Sequence, residues 1–149
     1  MSLQTEVMTK LKEAMKAKDT VALASLRAIK SAILLAQTEK GAKEELNKEA
    51  ELTLLQKLVK QRKDSAALYR EQGREDLASP ELAQVAVIEQ FLPAQLSESA
   101  LTEAIQAIIT QTGASSMKDM GQVMGMASKQ LAGKADGKAI SMIVKSLLA

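Results

Sequence analysis

The sequence predicts an all-α fold of two helical units, on three observations. Apolar residues recur at three- and four-residue spacing almost throughout, and no segment of four to eight residues alternates strictly between apolar and polar. Turn-forming residues are sparse, with two Pro and seven Gly in 149 residues. The composition, 46% apolar and 26% charged, is that of an ordinary globular chain, long enough to bury a core without staples. With one Phe, one Tyr and no Trp, that core is aliphatic.

The first stripe is Leu3, Val7, Met8, Leu11 and Met15, ending near Lys18, where Asp19 or Thr20 offers an oxygen to cap the next helix. The second helix is expected to run to about Lys40, with Gly41 as its left-handed stop. Its Ala22, Leu26, Ile29 and Ile33 form one face and Val21, Ala28 and Leu35 populate the opposite side, the pattern of a helix with neighbours on both sides. A long third helix extends from an Asn47 N-cap to Gln72, with Gly73 as its stop. On it Leu52, Leu55, Leu58, Val59, Ala66 and Tyr69 fall within a sector of about 120°, and Arg62 lies near the middle of that sector.

Ser79-Pro80-Glu81 reads as an N-cap followed by Pro at the first helical position. It opens a fourth helix carrying Leu82, Val85, Ile88 and Leu92, which Pro93 closes. The break at 93–96 sets the domain boundary, giving a helical bundle over 1–95 and a small three-helix domain over 96–149. In the second domain, Leu101, Ile105 and Ile108 define a helix from Ser97-Glu98 to Gly113. Met117, Met120, Met124, Ser128 and Leu131 define the next, capped by Ser116 and stopped by Gly133. Ile140, Ile143, Val144 and Leu147 define the last, with Asp136 as N-cap.

Composition excludes much chemistry. With no Cys there is no disulfide, thiolate nucleophile or zinc-thiolate cluster, and with no His there is no imidazole base or ligand. No spacing marks a triad, a metal cage or a cofactor fingerprint, so no catalytic residue, cofactor or metal is expected. The N-terminal Met-Ser-Leu-Gln-Thr-Glu lacks the basic start and apolar run of a signal peptide, and no run approaches 18 uninterrupted apolar residues. A cytoplasmic location without a membrane partner is therefore expected.

Net charge is +2, too balanced to announce a nucleic-acid binder, but its distribution is uneven. Residues 1–92 carry 15 basic and 14 acidic groups, whereas Lys118, Lys129, Lys134, Lys138 and Lys145 face only Asp119 and Asp136 after residue 113. Gly133-Lys134-Ala135-Asp136-Gly137-Lys138 places two lysines and permissive glycines at a helix start, where amides and dipole favour an anion. It lacks the Walker pattern, and Asp136 also reads as a plain N-cap. Arg62 has two readings. It pairs with a neighbouring carboxylate, Asp76 or Glu89, or snorkels; alternatively it joins Arg27, Lys30 and Lys63 in a basic groove for a phosphate-bearing partner.

The late Met stripe reads as flexible core or as an adaptable partner surface. Gly121 and Gly125, four apart, would admit a close backbone approach.

Several elements together resemble the YqeY family. They are Arg27-x-x-Lys30; Gln61-Arg62-Lys63-Asp64-Ser65 with Tyr69; Gly73-Arg74-x-Asp76-Leu77; Phe91-Leu92-Pro93-x-Gln95-Leu96-Ser97; and Asp119-Met120-Gly121-x-Val123-Met124-Gly125 followed by Gly133-Lys134-Ala135-Asp136-Gly137. That family is similar to the C-terminal helical and tail regions of GatB, a subunit of the glutamine-dependent amidotransferase acting on Glu-tRNA(Gln) or Asp-tRNA(Asn). The resemblance implies an N-terminal bundle plus a tail domain, and a nucleic-acid contact through Lys118, Gly133, Lys134, Asp136, Gly137 and Lys138. Implied partners are tRNA and amidotransferase or aminoacyl-tRNA synthetase components. The resemblance carries over no catalysis, since the amide-transferring core of GatB lies outside this region; the label carbon-nitrogen ligase with glutamine as amido-N-donor describes the company such a domain keeps. A tRNA-interacting accessory module, a protein adaptor with no RNA role and an enzyme remain as function classes.

Overall fold

In a computed structural model, residues 2–39 and 45–149 are described. They form seven α-helices and no strand. The expected end of the second helix at Lys40 and Gly41 lies outside the described residues. The chain divides into two compact units, Met1–Leu92 and Pro93–Ala149, so the break falls three residues ahead of the 95/96 boundary read from the sequence.

In the first unit, α1 (Leu3–Ala17) is capped by the Ser2 hydroxyl, which accepts from the Thr5 amide. It ends at Lys18 in the left-handed region, φ 56°, whose N–H bonds back to Ala14 and Met15. Asp19 then caps α2 (Thr20–Glu39), its Oδ1 accepting from Ala22 N at 3.0 Å. α3 (Lys48–Glu71) starts where Asn47 Oδ1 accepts from Ala50 N at 2.8 Å, and Gly73 at φ 71° follows it.

α4 (Glu75–Glu89) corrects the sequence reading. It begins four residues before Ser79, so Pro80 lies inside the helix and Ser79 is helical, its hydroxyl donating to Glu75 at 3.2 Å. Two bidentate arginine–carboxylate pairs fold the preceding turn: Arg70 with Glu75 at 2.9 and 3.1 Å, and Arg74 with Asp76 at 3.0 and 2.9 Å. The fully buried Ala78 anchors the added turn, and these contacts offset the one hydrogen bond that Pro80 cannot donate.

α4 packs on both α2 and α3, and α1 packs on α2. Leu3, Val7, Leu11, Ile29, Leu55 and Ile88 lie at the centre of this core. Ser25 is buried among them and donates to Val21 O at 2.8 Å, so its hydroxyl is satisfied. The Leu3 amide donates to Glu51 Oε2 at 2.9 Å, tying α1 to α3. Met15 is exposed, because Ala14 takes the inward position one residue earlier. Val21 and Leu35 are exposed as well; α2 has neighbours, but they do not cover those two side chains.

In the second unit, α5 (Glu98–Thr112) is capped by Ser97 and ends at Gly113, φ 72°. Ser116 and Asp119 form a capping box on a 3₁₀ turn, Met117–Asp119, which leads into α6 (Met120–Gln130). α7 (Gly137–Leu148) closes the unit. The three helices pack on one another around Leu101, Ile105, Ile108, Val123, Ala127 and Val144. The buried row of α6 is thus Val123 and Ala127, leading to Leu131, one position off the Met120–Met124–Ser128 row read from the sequence. Met120, Met124 and Met126 pack at its flanks, while Ser128, Met117 and Met142 are exposed. Gly121 and Gly125 have open space where a Cβ would stand, so no backbone approaches them among the described residues.

Candidate functional site

The segment 133–138 is built by three devices. Gly133 is buried and left-handed, φ 77°, a conformation that favours glycine. The Gln95 side-chain amide donates to Gly133 O at 2.7 Å and to Pro93 O at 2.9 Å, and Leu96 N donates to Lys134 O at 3.0 Å. Asp136 caps α7, its carboxylate accepting from Ala139 N at 2.6 Å. Gln95 thus clamps the segment from a position 38 residues away. It stands in the quoted Pro-x-Gln-Leu element, but nothing in a linear sequence points to its partner.

The cap decides how the segment can meet an anion. Asp136 occupies an amide at the helix start and places a negative charge on the positive end of the dipole. The first-turn amides of Gly137 and Lys138 remain outside the intrahelical ladder. Lys134, Lys138 and, on the 3₁₀ turn, Lys118 are exposed, and none forms an ion pair among the described residues. Attraction for an anion therefore rests on flexible lysine side chains on a held backbone, with Asp136 opposing it.

The second basic cluster is arranged differently from either sequence reading. Arg62 is half-buried and reaches neither Asp76 nor Glu89. Its Nε donates to Gln84 Oε1 at 2.9 Å and its Nη1 to Leu58 O at 3.2 Å. Asp76 is taken by Arg74, and Glu89 pairs with Lys63 at 3.3 Å. Arg27 is exposed and Lys30 half-buried on α2, apart from the hydrogen bonds of Arg62 and the ion pair of Lys63. The structure thus satisfies Arg62 with neutral oxygens and partly neutralises Lys63.

At the α3–α4 turn two arginine–carboxylate pairs have shifted titrations. The hydrogen bond from Arg70 holds the Glu75 carboxyl below its ordinary range, and that from Arg74 does the same for Asp76, while both guanidinium groups are pushed up. All four side chains are largely exposed, which marks structural ion pairs at a turn. No group of three or more carboxylates able to hold a metal occurs among the described residues. Of the described helices, α2 is long and apolar enough to span a bilayer by length and composition, which a count of uninterrupted apolar runs does not register; here its Leu26, Ile29 and Ile33 lie in the protein core.

These features define an all-α chain of two small units, the second carrying a clamped basic loop at a helix start. The family model described as Yqey-like protein matches residues 4–148, and the chain belongs to the YqeY family. No curated protein matches the sequence.

Proposed function

We propose that this protein is a non-catalytic accessory module that contacts tRNA through its second unit, related to the GatB subunit of the glutamine-dependent tRNA amidotransferase. The observation that carries the reading is the clamped loop, which presents Lys134 and Lys138 exposed and without ion pairs beside the start of α7. Lys118, exposed on the 3₁₀ turn, adds a third cation of the same unit. With no Trp and a single Phe and Tyr, stacking of unpaired bases contributes little, and recognition is of folded RNA shape and backbone. Amidotransferase or aminoacyl-tRNA synthetase components, in the cytoplasm, are the protein partners that accompany this reading.

The test is binding of unmodified tRNA by the full chain over a salt series, beside a Lys134→Glu, Lys138→Glu double variant shown by circular dichroism to stay folded. Three lysines neutralising three phosphates give a salt slope of about −2.7, hence about a 40-fold loss of affinity between 50 and 200 mM salt. Absence of binding at low salt, or equal binding by the variant, overturns the proposal. The exposed Met117 and Met142 favour a second reading, a protein adaptor with no RNA role, which a failed tRNA titration would promote.

A further inference from the structure

The first unit contains a feature that the tRNA reading leaves unused, a cleft of about 620 Å³ between the C-terminal half of α2 and the N-terminal half of α3. No described residue of α1 or α4 lines it. Its walls carry Ala32 and Ala36 from α2 and Leu54 and Leu58 from α3, and Leu35 at its edge is 62% exposed. An apolar ridge thus stands beside an apolar groove with small residues on its wall. Three charged side chains also line the cleft: Glu39 and Glu49 near the α2–α3 connection, and Lys57 two turns further along α3. None of the three forms an ion pair among the described residues.

We propose that a second copy of the chain closes this cleft, about a two-fold axis passing near Thr53. Glu49 and Lys57 stand four residues either side of Thr53, and all three are exposed on α3. Antiparallel pairing of α3 with its copy, centred on Thr53, sets Glu49 of each chain against Lys57 of the other, about 6 Å of helix rise from the axis on both sides. The same operation brings the cleft rim of each chain, Leu35 included, against that of the other, with the small Ala32 and Ala36 on the walls. Ridge and groove side by side, with opposite charges equidistant from a centre, is the self-complementary pattern that an isologous interface requires. The face spans about 20 Å by 20 Å, roughly 800 Å² of total buried surface, which places the dimer at the weak, concentration-dependent end of specific interfaces.

Sedimentation equilibrium of the full chain from ~5 to ~500 µM covers that regime. The expected average mass rises from that of one chain, 16.0 kDa, toward twice that value. Leu35→Glu and Lys57→Glu each weaken association by at least ~10-fold, and adding Glu49→Lys to Lys57→Glu restores it, with circular dichroism confirming that every variant folds. Because the chain has no cysteine, Thr53→Cys supplies a lone thiol beside the axis. Under mild oxidation it forms a disulfide-linked dimer faster than a Leu68→Cys control elsewhere on α3. A chain that remains monomeric at the highest concentration leaves the cleft to another occupant and overturns the proposal. So do a charge swap that restores nothing and a Thr53→Cys variant that cross-links no faster than the control.

Discussion

Gln95→Ala separates the support of the basic loop from its charge, since no lysine is touched. The substitution removes two hydrogen bonds, to Gly133 O and Pro93 O. At about 0.5–1.5 kcal/mol net for each, the loss is roughly 1–3 kcal/mol, toward the upper end if the carbonyl of the buried Gly133 finds no water. Hydrogen exchange by mass spectrometry on the full chain reads the effect locally. The hydrogen-bonded amides of Leu131 and Lys134, together with the Leu96 amide that bonds Lys134 O, are expected to exchange about 5- to 100-fold faster, while α1 to α4 keep their protection. Unchanged protection at 131–138 would refute the clamp. An equal rise across residues 2–39 would refute the locality of the effect.

Three further outcomes follow from single observations. Lys18→Gly relieves a non-glycine residue at φ 56° and stabilises the fold by about 0.5–1 kcal/mol after the greater freedom of glycine in the unfolded chain is offset, read as a higher urea midpoint; a lower midpoint contradicts the strain assigned there. Gly121→Ala with Gly125→Ala on α6 fills open space and stabilises by up to about 2 kcal/mol, provided that no backbone needs those positions; a loss of thermal stability shows that one does. Because Glu75 and Asp76 have depressed pKa values in the folded chain, their contribution is full at neutral pH and is lost as pH falls out of the ordinary carboxylate range and through the lower folded values. The urea midpoint should fall there, and fall less in Glu75→Gln; an equal fall in the variant denies the pair a role.

What is legible in the sequence is whatever is decided within a few residues. Asn47, Ser97 and Asp136 cap the helices expected of them, and Ser116 caps the 3₁₀ turn that leads into α6, because a cap needs only an oxygen two or three residues from an unpaired amide. Leu101, Ile105 and Ile108 of α5 and Ile140 and Val144 of α7 are buried as the spacing implies, whereas Ile143 and Leu147 are half-buried and the buried Ile109 and Leu148 fall outside the stripes read from the sequence. The start of α4 is hidden because Ser79-Pro80 imitates a helix entry, while the true entry is held by arginine–carboxylate pairs spanning a turn. Arg62 with Gln84 and Gln95 with Gly133 lie 22 and 38 residues apart, and in each the acceptor is a neutral oxygen that charge pattern cannot suggest. In α6 the small Ala127 occupies the centre and the larger methionines its flanks, so ranking positions by hydrophobicity shifts the stripe by one.

Local cap and distant clamp act on the same loop, and the cap can be changed without touching the clamp. Asp136 is the one acidic residue in the segment 133–138, and it is also its helix cap. Asparagine caps about as well as aspartate, so Asp136→Asn preserves the bond to the Ala139 amide while deleting the charge that opposes Lys134 and Lys138. One unit charge at roughly 8 Å through water is worth about 0.5 kcal/mol, so tRNA affinity should rise about twofold at low salt and the gain should fade as screening grows. That sign is opposite to the effect of removing a contact residue. If Asp136→Asn weakens binding while circular dichroism and exchange at 137–140 are unchanged, the carboxylate itself meets the RNA, accepting from base or ribose, and the loop reads geometry as well as charge. If affinity rises as expected, the loop is an electrostatic surface whose cap limits its strength, and any discrimination among tRNAs comes from folded shape or from partner proteins.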